Sequence, residues 1–160
     1  MRKITFALLA MLLLSCGGEK KDAVVVAEGW LKENVLPVLE NSKIESISKQ
    51  EYKFDQTEVF NKQGTADNQQ VALSFDEVEK YASGDRSDKA VNTKFMINIL
   101  VGSTVNAYQQ LLKDRYDYTE VTANLSFDLQ DSERGGFSYI IIIPTETLEI
   151  LNQLPYSVNK

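Results

Sequence analysis

Reactive side chains are few in this chain, and they fall in three places. Among 160 residues there is one cysteine, Cys16, and no histidine. Cys16 closes the run Leu13-Leu14-Ser15-Cys16 and is followed by Gly17-Gly18; sulfur is the most nucleophilic side-chain atom, so this position suits alkylation or acylation. Asp128, Asp131 and Glu133 place three carboxylates within six residues, a set that could hold a cation or share acid/base work if burial raised one of them. The same residues, with Arg134-Gly135-Gly136 after them, suit a solvated turn, which is the reading taken. Tyr108, Tyr116, Tyr118 and Tyr139 gather in the second half and, with the single tryptophan Trp30, have the composition of a ligand cleft. Each equally suits a core edge, where an amphipathic ring buries its body and wets its tip.

The missing imidazole closes several classes at once: Ser-His and Cys-His nucleophile pairs, and the commonest general base and zinc ligand. With one cysteine there is no internal disulfide. No catalytic constellation, metal site or cofactor is expected, and the chain is expected not to be an enzyme.

Around the thiol the pattern is specific. Arg2 and Lys3 precede an apolar run from Ile4 to Leu14 broken only by Thr5, the layout of an export signal. Eleven residues are too short for a membrane span, which needs about 20. Basic start, apolar run, small Ser15 and then Cys16, in that order, resemble the lipobox of bacterial lipoprotein precursors. The resemblance implies cleavage between Ser15 and Cys16, a diacylglycerol on the Cys16 thiol, and usually an acylated new amino terminus. Residues 1–15 would be the cleaved signal and residues 16–22 the lipidated cysteine with a flexible tether. Each buried acyl CH₂ contributes about 0.8 kcal/mol, so two or three chains hold a protein firmly without any spanning helix. An ordinary secretory signal with an incidental cysteine and an uncleaved amino-terminal anchor are the competing readings. Gly17, where an Asp would retain an enterobacterial lipoprotein on the inner membrane, makes the outer membrane the implied address. Glu19-Lys20-Lys21-Asp22 fits only partly the acidic cluster that accompanies surface display, so the periplasmic and outward faces both stay open.

Removing residues 1–15 discards Arg2 and Lys3 and no acid, taking the formal net charge from −6 to −8. Nucleic acid is thereby disfavoured as a partner, since tracking phosphates requires clustered Lys and Arg. An acidic surface also gains nothing from anionic lipid headgroups, so the lipid anchor, not the protein surface, is expected to hold the membrane. Residues 23–160 are long enough for a single domain with a core of its own.

The elements that must position these residues follow from periodicity. Val24, Ala27, Leu31, Val35 and Val38 recur at helical spacing across residues 23–39, with Asp22 as cap and Pro37 ending or kinking the helix near Val35. Tyr52 and Phe54 alternate in a strand within residues 44–60, which Val59 and Phe60 either extend or follow as the start of a partner strand. Residues 61–68 read as a polar loop around Gly64, and Val71, Leu73 and Phe75 alternate in a second strand pairing with the first. Asp76 with Glu79 resembles a capping pair for a short helix that stops at Ser83-Gly84. Residues 84–89 form a charged loop with too few converging oxygens for calcium.

Residues 91–101 and 104–115 read as two helices, a strand over 94–101 being the alternative. Val121, Ala123, Leu125, Phe127 and Leu129 alternate in a strand that forms a hairpin with the run Phe137-Ser138-Tyr139-Ile140-Ile141-Ile142-Ile143. That second strand, apolar on both faces, is expected at the centre of the sheet. Thr145 caps a final short helix carrying Leu148, Ile150, Leu151 and Leu154.

The expected class is α+β, an antiparallel sheet with helices packed on it. The layout distantly looks like cone-shaped, curved-sheet folds of the NTF2-like and cystatin-like families, an analogy that carries no function with it. The expected role is a non-catalytic, membrane-tethered binding module with an envelope protein as partner. The alternative is a small-ligand binder or weak carboxylate-dependent hydrolase whose cleft is lined by Trp30, Tyr108, Tyr116 and Tyr139.

Overall fold

The computed structural model describes residues 22–129 and 133–155. It is an α+β domain: a three-stranded antiparallel sheet in the order β1-β2-β3, with four helices against it. The strands are β1 Lys43–Tyr52, β2 Tyr118–Asp128 and β3 Arg134–Pro144; the helices are α1 Ala23–Asn34, α2 Gln56–Asp67, α3 Phe75–Ala82 and α4 Lys89–Asp114.

Helix α1 begins as expected. The Asp22 carboxylate accepts the Val24 N–H at 2.8 Å, and Lys49 Nζ donates to the same carboxylate at 2.7 Å, tying the helix start to β1. Ala23, Ala27, Leu31 and Val35 are buried, one row at four-residue spacing laid on the sheet. The helix stops at Asn34, and a single 3-10 turn, Leu36–Val38, takes up the Pro37 that an α-helix cannot continue through.

Residues 53–75 correct the sequence reading. In place of a strand running on to Phe60, a polar loop over 61–68 and a strand at 71–75, the chain forms α2 and then α3. Asp55 caps α2 by accepting the Glu58 N–H at 2.8 Å, and Gly64 lies inside that helix. A capped polar helix that buries only Val59 and Ala66 has weak periodicity, which is why it read as loop. Val71 does not join a ladder; its N–H donates to Asn98 Oδ1 and its carbonyl accepts from Asn98 Nδ2. The capping pair of α3 is Ser74 with Glu77, two residues ahead of the expected Asp76 and Glu79.

The two helices expected over 91–101 and 104–115 are one. Helix α4 runs 26 residues from an Asp88 cap to Arg115, whose φ of 61° ends it. Its Leu100, with Met96 and Ile97, packs beside α1 and the β2 residues Val121, Ala123, Leu125 and Phe127. Its Ala107, Tyr108 and Leu111 pack with Val59, Tyr118 and Ile142 in the second cluster. One long helix therefore serves both faces of the sheet, and Ile97, Asn98 and Ile99, β-rich in composition, lie half-buried on it instead of pairing as a strand.

The β2–β3 hairpin is present, with Val121 opposite Ile141 and Leu125 opposite Phe137. Strand β3, however, is an edge strand and β2 is central. Ile141, Ile142 and Ile143 are all buried because α1 and the helices of the second cluster cover the two faces and the end of the domain closes the free edge. The Leu151 N–H donates to the Ile142 carbonyl at 2.9 Å, the Ile142 N–H donates to Asn152 Oδ1 at 2.8 Å, and Asn152 Nδ2 donates to the Ile140 carbonyl. The helix expected after Thr145 does not form. A turn over 145–147 leads into this extended segment, with Leu148 at φ 56°, because edge pairing satisfies more buried backbone groups than one short helix would.

Candidate functional site

The most concentrated polar chemistry lies under the Tyr52–Tyr118 end of the sheet. Tyr118 and Glu120 alternate along β2 and so share a face, and Tyr52 of β1 is the register partner of Tyr118. Helix α2 brings Lys62 onto that face and α4 brings Tyr108. The buried Glu120 carboxylate accepts from Tyr108 Oη at 2.8 Å and from Lys62 Nζ at 2.8 Å. Lys62 Nζ also stands 3.2 Å from the centroid of the Tyr52 ring, a cation–π contact worth about 0.5–2 kcal/mol depending on how dry it is. Tyr52 stacks on Tyr118 with centroids 5.2 Å apart. The Tyr118 hydroxyl is buried and has no hydrogen-bond partner among the described residues.

The electrostatics make this cluster quiet toward protons. Burial, followed by the negative charge of Glu120, pushes the Tyr108 and Tyr118 hydroxyls far above the usual phenol range. For Lys62, burial works to lower the ammonium, but hydrogen bonds to Glu120 and Tyr52 outweigh it and the net shift is upward. Both tyrosines stay neutral and Lys62 stays charged near pH 7, so none of the three is poised to exchange a proton with a substrate or act as an amine nucleophile.

The expected cleft residues do not meet in one place. Trp30 stacks on Tyr139, centroids 6.1 Å apart, on the α1 face of the sheet, where the Tyr139 hydroxyl shares a 2.7 Å hydrogen bond with Ser103. Tyr108 belongs to the other cluster, and Tyr116 lies beyond the end of α4, 39% exposed. Trp30, Tyr108 and Tyr139 fill the core or its edge, and Tyr116 stands exposed. In the hairpin, Asp128 accepts from Arg134 and from Asn41, and Asp131 lies outside the described residues. The described residues contain no group of three metal-ligating side chains. Ser15 and Cys16 also lie outside the described residues, as does the tether up to residue 21; no described helix is long and apolar enough to cross a membrane.

Open depressions on the described surface include one of about 210 Å³ beside Asp22, Lys49 and Glu51, one of about 360 Å³ beside Phe60 and Leu112, and one of about 360 Å³ between Gly102 and Leu154. Neither Glu120 nor Tyr118 lines any of them. Sequence reasoning found Tyr108 but missed Lys62 and Glu120, which are 58 residues apart; alternation along β2 could have placed Glu120 on the face of Tyr118, whereas Lys62 sat in a stretch read as loop. Compared with known proteins, the chain matches no family model, no curated protein and no solved structure.

Proposed function

We propose that this chain is a lipid-anchored protein of the bacterial cell envelope, held through Cys16 at the outer membrane, whose α+β domain is a non-catalytic binding module. The observation that carries the reading is the order of residues 2–16: basic pair, apolar run, small Ser15, Cys16. Two structural features support it. Asp22, which caps α1, follows Cys16 by six residues, a separation of chain that reaches about 20 Å at most. The one buried carboxylate among the described residues, Glu120, is closed off by Tyr108 and Lys62 instead of standing at the base of a pocket, while Phe60 and Phe75 are 66% and 80% exposed. A filled core with large apolar groups left outside suits recognition better than turnover. The small-ligand or hydrolase alternative has no comparable observation in its favour.

The test is metabolic labelling with a radioactive or clickable fatty acid in a bacterial host. The wild-type chain incorporates label and fractionates with the envelope. The Cys16→Ser chain incorporates none and accumulates as uncleaved or mislocalised precursor. Normal labelling and fractionation of that variant would overturn the proposal.

A further inference from the structure

Helix α3 carries an apolar stripe that no other described element covers. Phe75 is 80% exposed and Val78 is 44% exposed, and the exposed Ala82 continues the series at i, i+3 and i+7, one side of a helix. No residue of α3 is buried. What holds α3 to the domain lies on its other side: Tyr81 stacks on Phe95 of α4 with centroids 3.7 Å apart, and Lys94 Nζ donates to the Glu77 carboxylate at 2.6 Å. The stripe therefore faces away from α4.

Charge beside the stripe says what kind of surface would cover it. Glu77 is paired with Lys94 and Lys80 with Asp88, whereas the side-chain carboxylates of Asp76 and Glu79 make no ion pair or hydrogen bond with any described residue. Residues 74–88 carry five acidic groups and two basic ones. A second copy would bring one net-acidic face against another, and an anionic lipid surface would repel Asp76 and Glu79. Helix α3 packs on α4, which bonds the β3 edge strand through Thr104, whereas Asp22 at the start of α1 is tied to Lys49 of β1, the other edge strand.

We propose that the outer face of α3 docks a basic segment of a partner protein, which seats an apolar side chain against Phe75 and Val78 and pairs Lys or Arg with Asp76 and Glu79. This rests on the binding-module reading above and names its surface and the chemistry of its partner.

The experiment places photoreactive benzoylphenylalanine at position 75, and separately at position 60, in the full chain in its native envelope, and sequences the crosslinked peptides. The expected adduct at position 75 is a protein segment with Lys or Arg flanking an apolar residue, its yield falling at least about fivefold when Asp76→Asn and Glu79→Gln are combined or when salt is raised. Circular dichroism of the double variant separates lost docking from lost folding; if it unfolds, the salt series decides. Adducts to lipid, to a second copy or to an acidic segment at position 75, or a yield indifferent to charge and salt, would overturn the proposal. An adduct at position 60 alone would overturn this surface and leave the binding-module reading standing; no protein adduct at either position would count against both.

Discussion

Lys62 Nζ lies 2.8 Å from Glu120 Oε1 with the Tyr52 ring beneath it, so one ammonium neutralises the buried carboxylate of the central strand. The pair joins α2 to β2, elements that no backbone ladder connects. Lys62→Met is expected to leave Glu120 held by Tyr108 alone. The loss should be about 2 kcal/mol, below the cost of breaking a fully dry pair because the Lys62 side chain keeps 21% of its surface exposed. A urea midpoint unchanged in that variant would show that the pair contributes nothing net.

The same cluster sets the alkaline limit. Tyr108 and Tyr118 have folded values raised above the ordinary 10.0, so the fold holds their protons more tightly than the unfolded chain does. Their contribution is whole below pH 10 and declines as pH rises beyond it. Of seven tyrosines, these two should ionise only together with unfolding when absorbance near 295 nm and far-UV circular dichroism are followed in one titration. Tyrosinate signal from all seven before any loss of ellipticity would contradict the burial of both hydroxyls.

Acid acts through different groups. Asp117 is lowered by the Lys53 hydrogen bond and then by the Phe54 N–H, Asp22 by Lys49 and then the Val24 N–H, and Glu77 by Lys94 and then the Ser74 N–H. Folded values below the ordinary 3.8 and 4.5 mean that their stabilisation is complete above pH 4.5 and is lost as pH falls through the folded values. Asp117→Asn should therefore narrow the stability gap between pH 6 and pH 3. An equal gap in wild type and variant would remove Asp117 from the account.

Two adjacent glycines in β3 differ sharply in what they tolerate. A Cβ at Gly135 would meet the Phe127 ring at 2.5 Å, while one at Gly136 would meet only the Leu125 carbonyl at an ordinary 3.6 Å. Gly135→Ala should cost about 1–3 kcal/mol through overpacking, and Gly136→Ala less than half of that. Chemical denaturation of the two variants side by side checks the order, and a reversal would mean that the Phe127 ring yields.

Asn152 is buried and bonded on both sides, to the Ile142 N–H and to the Ile140 carbonyl. Asn152→Ala should destabilise by about 1–3 kcal/mol, because a buried N–H loses its acceptor, and should speed amide exchange at Ile142 well before it affects Val121 in the central strand. Uniform acceleration across the sheet would instead indicate global loosening.

What could be read in advance was what local pattern decides. Asp22 capping α1, Pro37 ending it and the alternation from Val121 to Phe127 each depend on neighbours within a few residues, and each is present. Most of the errors come from partners that lie outside the local pattern. Val71, Leu73 and Phe75 alternate like a strand, but Asn98, 27 residues away, takes the backbone of Val71 and Ser74 caps a helix instead. The strand Phe137–Ile143 looked central because it is apolar on both faces; nothing local announced that residues 149–152 would seal its edge. Asp55 and Glu58 did carry the cap of α2, outweighed by Gly64 and by a polar composition. In the candidate site, Tyr108 was identifiable as an amphipathic ring and Glu120 by strand alternation, but the burial that holds their protons is a tertiary property.

The closing of the β3 edge by Leu151 and Asn152 has a consequence for synthesis. A chain emerging from its amino terminus presents β1 without its partner until β2 has followed, and it has an unsealed sheet until residue 152 is out. Lys49 of β1 pairs with Val121 of β2, far along the chain, and pairings this distant form late. The sheet is therefore complete at its β3 edge only once residue 152 has emerged from the ribosome.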